Sequence, residues 1–92
     1  MSGILDDAAI AAALAGGPWE RRGDQIVRTV RRAGFPEALA FVNEVGRLAE
    51  ERNHHPDITL QWDTVTLVLT THSAGGLTQK DLDLAAAIDA LE

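Results

Sequence analysis

Residues 58–69, ITLQWDTVTLVL, constrain the fold more than any other part of the chain. Ile58, Leu60 and Trp62 alternate with Thr59 and Gln61; Val65, Leu67 and Leu69 alternate with Thr64, Thr66 and Val68. A period of two, rich in β-branched residues, predicts two strands, each with one greasier face. Asp63 falls between them as the pivot of a tight turn, so the two strands should pair as an antiparallel hairpin. A sheet with one apolar face needs a cover, and the rest of the chain has to provide it.

Three helical patterns are available. Leu5 to Leu14 predicts a short helix, with Asp6 as N-cap and Gly16-Gly17 as the stop. Phe35-Pro36-Glu37 opens a second helix, because proline in the first turn lacks only an N–H that would have no partner there. Leu39, Val42, Val45 and Ala49, flanked by Ala38, Phe41 and Leu48, keep a helical period through Glu51. Pro56 ends this segment by biasing the residue before it away from helix. Ser73 to Leu77 predicts a loop, and Thr78 caps a last helix with Leu82, Ala85, Ile88, Asp89 and Leu91 at helical spacing. Between the first two helices, Arg22-Gly23-Asp24 predicts a hairpin turn. It joins a short strand, Trp19 to Arg21, to a longer one, Gln25 to Arg32, whose arginines fall on both faces. The order α-β-β-α-β-β-α predicts an α+β domain spanning residues 1–92. Four antiparallel strands would carry three helices on one face, leaving Thr66, Thr70 and His72 on the other. Trp62 reads as a core residue. The second helix is apolar on more than one side, and a chain this short buries little surface, so a homo-oligomer of at least two subunits is expected.

Eight basic and fourteen acidic side chains give a net charge of −6, which argues against nucleic acid and anionic membrane as direct partners. The absence of cysteine rules out disulfides and thiolate chemistry. MSGILDDAAIAAALAGG has acids where a signal peptide carries bases, and its apolar run is short, so a soluble, cytoplasmic protein is expected.

All three histidines lie between Asn53 and His72. In a hairpin about Asp63, position 54 falls opposite position 72 to within a residue. His54, His55 and His72 therefore converge at one end of the sheet, near Asp81 in the first turn of the last helix. Imidazole serves as acid or base near neutral pH, and two converging rings can divide the roles of donor and acceptor. Ser73 has no strained elbow around it, so proton transfer is favoured over covalent catalysis. Asp81 also completes a capping box with Thr78, and spacing alone leaves its role open between structure and function. Glu50 reads most simply as a solvated helix charge. Zinc would accept three imidazoles and a carboxylate, but adjacent histidines point apart and the helical H-E-x-x-H spacing is missing.

Glu50, His54-His55-Pro56, Trp62, His72 and Asp81, with "TTH" and "LTQKDLDLA" around them, occur at the intervals of a known motif. From about Trp19 onward the chain resembles the pterin-4a-carbinolamine dehydratases. The resemblance implies four antiparallel strands with three helices on one face, and the dehydration of a 4a-hydroxytetrahydropterin to the quinonoid dihydropterin. That substrate is what an aromatic amino acid hydroxylase leaves behind, so such a hydroxylase is an implied pathway partner. No metal and no organic cofactor is implied. His54 and His72 would carry the acid–base work and His55 would position the pterin. Asp81 and Glu50 would orient or polarise the histidines, and Thr70 and Thr71 would offer backbone groups to the pterin edge. The chain departs from the family pattern at Asn53, Ile58 and Lys80, where Asp, an aromatic residue and Arg are common. Asn53 would orient by hydrogen bond without charge, and Lys80 replaces a bidentate contact by a point charge. Some members also act in animals as dimerisation partners of a homeodomain transcription factor, which implies a second reading, a non-catalytic binding module.

Overall fold

The computed structural model describes residues 3–91. Among them the elements run α1 (Asp7–Leu14), β1 (Glu20–Arg22), β2 (Gln25–Arg31), α2 (Phe35–Arg52), β3 (Asp57–Gln61), β4 (Thr64–Leu69), one 3-10 turn (His72–Ala74) and α3 (Gln79–Asp89). The predicted α-β-β-α-β-β-α order holds. All four strands are antiparallel, in the order β1-β2-β4-β3, so the last two strands form a hairpin whose second member occupies the sheet interior.

One apolar core joins the layers. Ile26, Val30, Val65, Leu67 and Leu69 line one face of the central strands. Ile10 of α1, Ala38, Phe41 and Val45 of α2, and Leu84, Ala85 and Ile88 of α3 close over it. Arg28 also points to this face, where Asp89 of α3 accepts from its guanidinium at 2.6 Å and from the Trp19 indole at 2.9 Å. Asp89 thus lies toward the interior as an acceptor, although its spacing had grouped it with apolar residues.

Three expectations need correction. The buried stripe of α2 is Ala38, Phe41, Val45 and Ala49, and Leu39 is 41% exposed. The stripe of α3 includes Leu84, which is fully buried. Trp62 is 65% exposed rather than core. The last has a clear cause. Gln61 pairs with Thr64, so the two-residue turn is Trp62-Asp63, and Trp62 leaves the ladder in a left-handed conformation, φ 53°. Asp63 is the buried member of that turn and accepts from Arg31 Nε at 3.0 Å. The Asp63 carbonyl accepts from the Arg32 amide, which ties the turn to the end of β2.

Candidate active site

The hairpin register brings its open end to the C-terminus of α2. Asp57 pairs with Val68, and Pro56, having no N–H, ends the β3 ladder. Continued along the same register, position 54 falls beside 71, one residue from the predicted opposition of 54 and 72.

Two local devices set the histidines. The first is the end of α2. Asn53 is left-handed (φ 49°, ψ 44°), its amide donates to the Glu50 carbonyl, and the His54 amide donates to the Ala49 carbonyl. This is the Schellman pattern, in which Asn is the usual substitute for Gly. It turns the chain sharply and delivers His54 and His55 from a fixed helix end. The second is the 71–76 loop. β4 ends at Leu69, so His72 opens a 3-10 turn instead of ending a strand as predicted. Gly75, at φ 79°, closes that turn; its amide reaches the Thr71 and His72 carbonyls, and Thr71 bridges to Gly76.

Beneath the histidines lies Asp81, fully buried. It occupies the inner stripe of α3, four residues before Ala85. One oxygen, Oδ1, is 2.6 Å from His54 Nε2. The other, Oδ2, accepts from the Thr71 hydroxyl at 2.8 Å and from the Thr78 amide at 2.9 Å. The Thr71 and Thr78 hydroxyls are themselves 2.9 Å apart. Asp81 therefore completes the capping box and holds His54 with the same carboxylate. Neither role excludes the other, because a carboxylate has lone pairs for both. An ionised Asp81 assigns the Nε2 hydrogen of His54 and leaves Nδ1 to accept or deliver a proton. His55 Nε2 faces Glu50 Oε2 at 2.5 Å, so the adjacent imidazoles are held by different acids.

One cleft of about 390 Å³ gathers Asn53, His54, His55, Thr70, Thr71, His72, Ser73 and Lys80. Of the residues singled out from the sequence, Glu50 and Asp81 do not line it: Glu50 reaches it through His55, and Asp81 supports it from below. The His72 ring hydrogen-bonds to none of the described residues and is exposed to the cleft. Thr71 has its hydroxyl, amide and carbonyl engaged within the fold. Thr70 donates its hydroxyl to the Asp24 carbonyl at 2.6 Å. The Thr71–Thr78–Asp81 network was not foreseen. The capping-box spacing showed Thr78 and Asp81, but no local pattern pairs Thr71 with a residue across a loop. Among the described residues, no three His, Asp or Glu side chains group as metal ligands.

Residues 4–91 match the family described as pterin 4 alpha carbinolamine dehydratase. The chain belongs to this family. A Nocardia farcinica protein provisionally named as a pterin-4-alpha-carbinolamine dehydratase is 54% identical over 89 residues, spanning 96% of this chain and 94% of its own. A Thermomicrobium roseum protein with the same provisional name is 57% identical over 82 residues, 88% of each chain. Among solved structures, a transcriptional coactivator/pterin dehydratase from Brucella melitensis superposes with a TM-score of 0.91 at 26% identity, covering 96% of this chain and 97% of its own. A pterin dehydratase-like protein described as a RuBisCO assembly factor of the alpha-carboxysome shares the fold, with a TM-score of 0.65 at 22% identity over 79% of this chain and 84% of its own. Carbinolamine dehydratase relatives thus span the whole site, from the end of α2 through α3.

Proposed function

We propose that the protein dehydrates 4a-hydroxytetrahydropterins by histidine general acid–base catalysis, in recycling of the pterin cofactor of an aromatic amino acid hydroxylase. The observation that carries this reading is the cleft itself: three imidazoles converge, one anchored on a buried carboxylate and one exposed without a partner among the described residues. In the reaction the C4a–O bond breaks, the N5–H proton leaves, a C4a=N5 double bond forms and water departs. One imidazolium delivers a proton to the leaving hydroxyl while a neutral imidazole takes the N5 proton. His54 and His72 fill these two roles. Asp81 fixes the ring of His54 and stabilises the positive charge it carries in one half of the cycle. His55, steadied by Glu50, binds the pterin, with Asn53, Thr70, Thr71 and Lys80 around it. No step calls on a metal or an organic cofactor.

A positioned proton-transfer group is worth about 10² to 10⁴ in rate. His54→Ala and His72→Ala should each lower kcat by about that factor with the fold intact by circular dichroism. Stopped-flow absorbance of carbinolamine decay measures it. Near wild-type kcat in both folded variants overturns the assignment. The name of the Brucella melitensis relative, transcriptional coactivator/pterin dehydratase, supplies the alternative, a binding module without catalysis. Under that reading the wild-type chain would leave the carbinolamine decay rate unchanged.

A further inference from the structure

His72 lines two clefts, not one. On its far side from His54 lies a second hollow of about 410 Å³, bounded by Arg22, Asp24 and Gln25 of the β1–β2 hairpin and by Gly75 of the 71–76 loop. Thr70 and His72 line both hollows, so the two are contiguous. The β2–β4 pairing explains the arrangement. Ile26 pairs with Leu69, and continuing the register puts Gln25 beside Thr70, while the Thr70 hydroxyl clamps the Asp24 carbonyl.

We propose that this second hollow receives the C6 substituent of the pterin, that the substituent is a short hydroxylated chain, and that Gln25 and Asp24 are its specificity-determining residues. The inference rests on the function proposed above and extends it from the reacting ring to the substituent. Its first support is covalent connectivity. In the carbinolamine, C4a, N5 and C6 are consecutive ring atoms. A group transferring protons at the 4a-hydroxyl or N5 is therefore one or two bonds from C6, and a substituent there must pass His72. The second is the chemistry of the lining. Gln25 is half-buried, and its amide and the Asp24 carboxylate hydrogen-bond to no described side chain. An amide donates and accepts and a carboxylate accepts, which together match vicinal hydroxyls. The third is charge. Arg22, the cation of the hollow, is paired with Glu20 at 2.9 Å, and Asp24 opposes it, so the hollow offers no site for a polyanionic tail.

The test compares kcat/KM for two carbinolamines, one with a dihydroxypropyl group and one with a methyl group at C6, in wild type, Gln25→Ala and Asp24→Ala. Circular dichroism controls for folding. Wild type should prefer the hydroxylated substrate. A neutral hydrogen bond is worth a few-fold to about tenfold in binding, so each variant should cut that preference by about 3- to 10-fold, through KM. Acceleration of both substrates with the preference unchanged in both variants overturns the inference and leaves the proposed function standing. A better rate with a C6 chain ending in carboxylates overturns the assigned chemistry. No acceleration of any carbinolamine by wild type overturns the proposed function, and the inference with it.

Discussion

Asp81 shows how much one residue can hold. Its two oxygens serve His54, the Thr71 hydroxyl and the Thr78 amide from a fully buried position. Asp81→Asn retains the volume but puts an NH2 group against one of these donors. A buried donor left without an acceptor costs about 1 to 3 kcal/mol. Asp81→Asn should therefore lower the denaturation midpoint and also depress kcat, whereas a purely capping role would leave kcat in the folded protein unchanged. Asp63 gives the pH dependence at this scale. The Arg31 guanidinium, then the Thr64 hydroxyl, holds its carboxyl below the ordinary value of 3.8. A group with a lowered folded pKa stabilises the fold above its unfolded pKa, and that stability is lost as pH falls through the folded value. Thermal melts from neutrality into acid should accordingly lose stability fastest below about pH 4. Asp63→Asn should be less stable at neutral pH and show a shallower decline in acid. An unchanged acid limb would deny the Arg31–Asp63 pair this role.

At the scale of elements, the end of α2 is the joint on which the site depends. Left-handed backbone costs a residue with a β-carbon about 1 to 2 kcal/mol, and Asn bears it better than most. Asn53→Ala should cost about 1 kcal/mol, or roughly 4 to 8 °C for a domain of this size, while Asn53→Gly should hold or gain stability. Kinetics on the glycine variant then isolate the side chain: a raised KM in a stable fold marks Asn53 as a substrate contact, and an unchanged KM limits it to the turn. This joint also marks where sequence reading stops. Pro56 pointed to the end of α2, and the paired histidines followed from the hairpin to within one residue of register. The left-handed turn that aims them depends on backbone hydrogen bonds to Ala49 and Glu50, which no periodicity encodes. Trp62 was misplaced for a related reason. Alternation continues through it in the sequence, but a two-residue turn removes it from the ladder. His72 continued the β4 pattern by parity, yet the ladder has no partner past Pro56, and the chain turns to 3-10. Arg28 and Asp89 broke two apolar patterns because they satisfy each other on the helix-covered face.

For the whole molecule, the unresolved demand is surface. Phe35 and Leu39 at the start of α2 are 45% and 41% exposed, and Trp62 on the hairpin tip is 65% exposed. At the sheet margin, β3 presents an outer edge with Asp57, Thr59 and Gln61 exposed. An open edge beside scattered large apolar groups is a liability for a soluble domain unless another copy covers it. The net charge of −6 opposes that association only at long range, since charges more than about 8 Å apart are largely screened at physiological salt. The chain should therefore be a dimer or tetramer at micromolar concentration, more tightly associated at higher salt. Its melting temperature should rise with protein concentration, because subunit binding stabilises the folded state by mass action. Leu39→Glu offers the decisive comparison. In an isolated subunit the side chain is already exposed, so the substitution should cost within about 0.5 kcal/mol. In an oligomer buried at α2 it sets a charge against an apolar neighbour and should shift the mass toward the single chain. Light scattering of the two proteins across concentration reads the difference. A monomeric mass for wild type, with a melting temperature independent of concentration, would overturn the oligomer and leave the exposed face of α2 without a partner copy.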